Sequence, residues 1–146
     1  MAVVNYYDLI IERLIEILEA EFKKSIKIFD IDRADIHHNQ ISLKEANSEN
    51  LSYLSTDIAV DKFHVDLILR HKWQKDGSKK QYLNRDFHKI KTSIYKYRSD
   101  KDDTGWFNGL VTDSLETIIE YTEDGNPKFW RRDLHFSCNI AYDHTE

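Results

Sequence analysis

The residues best suited to chemistry are two adjacent histidines, His37 and His38, which precede Asn39. Neighbouring imidazoles can ligate a metal ion, or they can begin an HNH-type nuclease motif, which needs a hairpin leading into a helix that carries a further histidine. The next histidine, His64, lies instead in a segment with the period-two pattern of a strand. The histidine spacing of the motif therefore occurs here without the hairpin and helix that the motif needs. We interpret His37 and His38 as residues of a solvated loop and assign no metal to the chain.

Other patterns associated with catalysis lack the context that catalysis needs. Cys138 is the only cysteine, so the chain has no internal disulfide, and its place on the apolar side of an alternating segment predicts burial and a raised thiol pKa. Glu21 and Lys23 have the spacing of a metal-dependent nuclease motif, but they end a predicted helix instead of lying on a strand. The four glycines form no phosphate-binding GxGxxG or Walker pattern. We therefore expect no enzymatic activity and no cofactor.

The distribution of charge is the feature that indicates a partner. Residues 70–98 contain ten Lys or Arg and two acids, a net charge of +8, which leaves −13 for the rest of a chain whose net charge is −5. In the first predicted helix Asp8, Glu12 and Glu16 follow one another at i,i+4 spacing, and each such pair costs roughly 0.2–0.5 kcal/mol in an isolated helix. A surface of opposite charge would offset this cost.

Three interpretations of the basic segment stay open: a solvated face, contact with the acidic surface of an identical subunit, or contact with a nucleic-acid backbone. Head-to-tail contact between unlike surfaces produces a ring when the rotation closes. On that hypothesis the candidate subunit-interface residues are Glu12, Glu16, Glu19, Arg85, Lys89 and Lys96. Because the net charge is negative, we do not expect direct binding to nucleic acid.

Hydrophobic periodicity predicts the elements that position these side chains in the first half of the chain. Asn5 and Asp8 resemble a capping box, and the helix that follows runs to about Lys23 with an apolar arc roughly 160° wide. Residues 25–32 are typical of a short strand. The polar stretch at about 33–56 loses periodicity, and we interpret it as a long loop with a short strand around Ile41 and Leu43.

The second half of the chain combines strands with a second helix. Residues 63–69 and 130–142 have the period-two pattern of strands with one buried face. A helix capped by Asn84 ends near residue 99. Residues 113–122 form a hairpin with the last strand, and residues 123–127 (EDGNP) supply its turn. We predict a single α+β domain over residues 1–146, in which a mostly antiparallel sheet of about four strands has two helices on one face and a C-terminal β-hairpin.

Length and composition fit this fold. A chain of 146 residues with 40% hydrophobic residues and a single proline suits one domain with one core. Its first residues lack the pattern of a secretory signal, and no window approaches 18 consecutive apolar residues. We expect a soluble, intracellular protein that does not associate with a membrane.

The order of these elements, with the strand at 63–70 (FHVDLILR) and the closing segment at 130–142 (WRRDLHFSCNIAY), resembles the tail terminator proteins of tailed bacteriophages. The resemblance implies a structural virion protein of the tail or neck, assembled in the host cytoplasm. It implies a hexameric ring that caps the tail tube and joins it to the head, with the tail-tube protein and head-tail connector proteins as partners. It implies no catalytic residues.

In this family extended loops reach neighbouring rings. The resemblance therefore makes the loop from Arg33 to Thr56 and the basic turn from Gln74 to Lys80 candidates for axial docking. The candidate docking residues are His37, His38, Asn39, Lys75, Lys79 and Lys80. The long polar loop leaves open a related neck or head-completion connector protein. A small nucleic-acid-binding or nuclease-type protein that uses the basic residues 70–98 also stays open.

Overall fold

The computed structural model of the chain describes residues 6–23, 25–33, 35–36, 38–53, 57–75, 80–96, 113–114 and 117–143. These residues form two helices and six strands. In chain order the elements are α1 (Tyr6–Phe22), β1 (Lys27–Phe29), β2 (Gln40–Tyr53), β3 (Ile58–Lys72), α2 (Lys80–Lys96), β4 (Asp113–Ser114), β5 (Ile118–Tyr121) and β6 (Pro127–Asp143). Asn5, the predicted cap of the first helix, lies outside the described residues.

The six strands occupy five positions in one mixed sheet. The order is β1, β2, β3 and β6, after which β4 and β5 pair with successive parts of the far edge of β6. The β1–β2 pair is parallel, and the other pairs among the described strands are antiparallel. The predicted α+β fold and its C-terminal hairpin are confirmed, with one strand position more than the four expected.

The long pairing of β3 with β6 divides the side chains of the sheet between two faces. The register is unbroken over the whole of β3. Successive side chains of a strand point to opposite faces, so Leu67 and Leu134 meet on one face while Arg70 and Arg131 meet on the other. We call the first the inner face and the second the outer face.

Both helices pack on the inner face, where they complete one hydrophobic core. The core residues that are almost completely buried include Leu14, Leu18, Leu43, Leu67, Leu83, Ile90 and Phe136. The wide apolar arc predicted for the first helix is buried in this core. The helix ends where Lys23 adopts a left-handed conformation (φ 55°) and its amide donates to the Glu19 carbonyl at 2.7 Å.

The prediction of a long polar loop at about 33–56 is wrong, because residues 40–53 form β2. Among the residues of β2 whose side chains the structure describes, Ile41 and Leu43 are the buried apolar ones. Its pairing with β3 is then interrupted by register shifts between Glu45 and Ser48 and again between Asn50 and Ser52. Such bulges break the alternation by which a strand is recognised in a sequence.

The prediction of Asn84 as a helix cap is also wrong, because α2 already begins at Lys80 and Asn84 lies in its second turn. The side chain of Asn84 does not close a helix end. Its Oδ1 accepts a hydrogen bond from Arg132 Nη1 of β6 at 3.0 Å, so the residue joins the helix to the sheet.

The turn between β5 and β6 is as predicted. The Asn126 carbonyl accepts a hydrogen bond from the Thr122 amide at 2.8 Å, and Gly125 adopts φ 82°. A glycine reaches this region without the steric cost that a Cβ brings. None of the described helices is long and apolar enough to cross a membrane.

Substitution of Gly125 by alanine isolates this backbone effect, because a Cβ added there meets no atom within 4 Å. We expect Gly125→Ala to lower the free energy of unfolding by about 1 kcal/mol through the left-handed φ alone. Asp124→Ala, in the same exposed turn, is the control and should change stability by less than about 0.5 kcal/mol. Equal stability of the two variants in urea denaturation would contradict the strain argument.

Candidate subunit interface and neighbouring polar clusters

The surface of α1 that faces away from the core is acidic. Its residues Glu12, Glu16 and Glu19 are exposed, and the whole helix contains five acids and one base, a net charge of −4. Glu16 forms an exposed ion pair with Arg13 at 3.4 Å. Within the described part of the chain the carboxylates of Glu12 and Glu19 have no ion-pair partner.

The neighbouring helix α2 carries the opposite charge. It contains five bases and one acid, a net charge of +4. Arg85 is largely exposed, contacts Asp86 and lies over the ring of Tyr82. Lys89 is half-buried with Nζ 6.0 Å from the Phe22 ring of α1, and Lys96 is exposed at the end of the helix.

One end of each helix carries charge that the helix dipole disfavours. The last turn of α1 contains no basic residue, although a helix C-terminus favours cations, and Glu19 and Glu21 lie at this end. The first turn of α2 contains Lys80 and no acid, although a helix N-terminus favours anions. An acidic surface against α2 and a basic surface against α1 would each remove this mismatch.

The two segments predicted to dock to adjoining rings come together at one end of the sheet. The side-chain oxygen of Asn39 accepts a hydrogen bond from the Lys72 amide at 2.8 Å, which ties the start of β2 to the end of β3. His38, Lys75 and Lys80 are exposed. His37 and Lys79 lie outside the described residues, as does Thr56.

A cavity of about 330 Å³ opens beside this end of the sheet. Its lining includes Asn39, His71, Tyr82, Arg85, Asp86 and Trp130. His71 and Asp86 are both buried, and His71 Nε2 lies 2.8 Å from Asp86 Oδ2 at an angle outside hydrogen-bond geometry. Burial alone would raise the pKa of the Asp86 carboxyl, but His71 and Arg85 outweigh it and hold that pKa below its ordinary value.

The outer face carries a chain of ion pairs around one buried guanidinium. Arg70, which is 1% exposed, contacts Asp32 at 2.6 Å and Glu120 at 2.5 Å. Arg131 contacts the same Glu120 at 3.2 Å and Asp133 at 2.7 Å. Burial would lower the pKa of Arg70, but the hydrogen bonds to Glu120 and Asp32 outweigh it and raise that pKa. The hydrogen bond to Asp133 likewise raises the pKa of Arg131.

A second cluster on the outer face joins β3 to β6 through two imidazoles. His135 Nδ1 lies 2.6 Å from Asp66 Oδ1, and His135 Nε2 lies 3.0 Å from His64 Nδ1. The sequence prediction missed this cluster. The available signal was that His64 and Asp66 are two residues apart on the polar phase of one strand, and that His135 has the polar phase of another.

The structure limits the chemistry of the residues that the sequence singled out. Within the described ranges, no group of three or more His, Cys, Asp or Glu side chains is placed to hold a metal ion. Cys138 is buried as predicted, and burial raises the pKa of its thiol to about 12. A thiol with that pKa is not a nucleophile at neutral pH.

The sequence matches no known protein-family model, and no curated protein is similar enough to it to count as a relative.

Removal of the Asp86 charge tests the buried pair. We expect Asp86→Asn to lower the free energy of unfolding by about 1–3 kcal/mol, because the buried side chain loses the charge with which it contacts His71 and Arg85. Asp124→Asn, in the exposed β5–β6 turn, is the control and should be nearly neutral.

The same variant should also change how the free energy of unfolding depends on pH in the acid range. Because folding lowers the pKa of Asp86, its contribution is fully present above the ordinary carboxyl value of 3.8 and is lost as pH falls through the lower folded-state value. The wild type should therefore lose more stability on acidification across this range than Asp86→Asn does. Parallel pH profiles in urea denaturation would contradict the assignment.

Proposed function

We propose that this chain is a structural virion protein, a tail terminator whose copies form a hexameric ring that caps the tail tube and joins it to the head. The observation that carries the proposal is the opposite charge of two adjacent helices on the same layer of the molecule. The acidic α1 (net −4) and the basic α2 (net +4) give one subunit two complementary surfaces. The resemblance to tail terminators in the order of helices and strands supports a ring over other forms of self-assembly.

The contact would join α1 of one copy to α2 of the next. Such a contact is heterologous, because different surfaces meet, and it closes into a ring when the rotation between copies allows. Glu12 and Glu19 would supply carboxylates that have no ion-pair partner within the described chain. Lys89 and Lys96 would supply the cations. Contacts of this kind also explain why charges opposed to the helix dipole are tolerated at the C-terminus of α1 and at the N-terminus of α2.

Axial partners would meet the end of the sheet where Asn39 is bonded to Lys72. His38, Lys75 and Lys80 offer polar and basic side chains there, and the tail-tube protein and the head-tail connector proteins are the proposed partners. A neck or head-completion connector protein would use the same surfaces in a different ring of the particle. Assembly in the host cytoplasm and residence in the virion follow from this role, which requires no catalysis.

A charge-reversal series tests the proposed contact. We expect Glu12→Lys with Glu19→Lys to weaken self-association at least tenfold. Loss of two contacts worth on the order of 0.5–1 kcal/mol each at an exposed site accounts for about tenfold, and the repulsion that replaces them adds to it. Adding Lys89→Glu and Lys96→Glu to the same chain should restore association. Sedimentation velocity gives the association state, and circular dichroism shows whether each variant is folded.

The control for this series is Glu123→Lys with Asp124→Lys, which makes the same change in net charge on the exposed β5–β6 turn. It should leave self-association unchanged. Equal weakening by the control would assign the effect to net charge instead of to α1. If the variant with all four charge reversals does not regain self-association, α2 is not the surface that contacts α1. Tight, salt-sensitive binding of DNA by the wild type would favour the nucleic-acid alternative for residues 70–98.

A further inference from the structure

The two imidazoles on the outer face form a hydrogen bond, and their rings do not stack face to face. Their centroids are 5.1 Å apart, whereas the nearest nitrogens, His64 Nδ1 and His135 Nε2, are only 3.0 Å apart. The ring planes differ by 23°, so the rings meet edge to edge and nearly in one plane. This geometry aligns one nitrogen lone pair with one N–H, which is the arrangement that shares a proton.

The carboxylate of Asp66 determines which nitrogen of His135 carries a proton. His135 Nδ1 lies 2.6 Å from Asp66 Oδ1, and an ionised carboxylate can only accept, so Nδ1 must donate. In neutral His135 the other nitrogen, Nε2, is then an acceptor. The proton between the two rings must in that state belong to His64 Nδ1. The chain of bonds therefore runs from His64 through His135 to Asp66.

We propose that Asp66, His135 and His64 form a proton-sensitive latch between β3 and β6, which is closed when at most one ring is charged and opens when both are. One added proton is accommodated, because a single N–H still lies between the rings and Asp66 balances the charge. A second added proton places two N–H groups against each other across 3.0 Å. Steric and electrostatic repulsion then separates the rings.

His64 is the ring that moves away on acidification. His135 is held on its other side by the carboxylate of Asp66, and that bond becomes stronger when the imidazole is charged. Acid would thus break the cross-strand contact between the two histidines and leave the Asp66–His135 pair in place, which changes the outer face without requiring the sheet to unfold.

Other charged and titratable residues surround the latch at neighbouring register positions. Lys44 of β2 pairs with Asp66, and Lys62 and Asp133 lie two residues along β3 and β6 from His64 and His135. These groups set the electrostatic background, which is common to the wild type and to the variants used in the test.

The direct test is nitrogen-15 NMR of the histidine rings in the full chain. At pH 7.5 we expect His135 to be protonated at Nδ1 with an acceptor Nε2, and His64 to be protonated at Nδ1. On acidification the His64 ring should change environment while His135 keeps the Nδ1 signature of a bond to a carboxylate. A neutral His135 protonated at Nε2 instead of Nδ1 would overturn the proposal.

Thermal unfolding gives an independent readout. Between pH 7.5 and pH 5 the wild type should lose roughly 3 °C more in Tm than His64→Gln, because only the wild type contains the pair that a second proton disrupts. His88→Gln, at an exposed position on α2, should behave like the wild type. Identical acid dependence in the wild type and His64→Gln would overturn the latch. Neither readout depends on ring assembly, so this proposal and the proposed function can fail separately.

Discussion

The pairing of β3 with β6 is the constraint on which the rest of this structure depends. Its unbroken register sets Arg70 directly opposite Arg131, and like charges in that position are destabilising unless other groups neutralise them. Asp32, Glu120 and Asp133 supply the neutralising carboxylates from three different parts of the chain. The loop before β2 and the edge strand β5 are thereby tied to the centre of the sheet. A slip of β6 by one residue against β3 would turn Arg131 toward the apolar inner face while Arg70 stayed on the outer one.

The same register separates the functions that we assign to the two faces. The inner face takes the apolar side chains and binds both helices, so the helices turn their charged sides outward as two adjacent surfaces of opposite sign. The outer face keeps its polar side chains in cross-strand clusters, one around Arg70 and one through His135. Self-association would use the helical layer, while the response to protons belongs to the other side of the sheet.

Local patterns predicted those parts of the fold that depend on local sequence. Three features depend on residues that are close together in the sequence, and the structure contains all three. They are the wide apolar arc of α1, the alternation of β6 and the turn at Gly125. The length of β2 was underestimated, because bulges interrupt its alternation beyond Leu43 and partner strands supply much of its stability. The pairs His71–Asp86 and His64–His135 were missed because only the register and the packing of α2 bring these distant residues together.

We propose that copies of this chain meet through surfaces of opposite charge. It is tested most directly by the native mass of the purified full chain at low and high ionic strength, alone and mixed with tail-tube protein. We expect a species of six subunits, formed alone or on the tube protein, that dissociates as salt screens the contacts between α1 and α2. A monomer at every ionic strength, with and without tube protein, would contradict it.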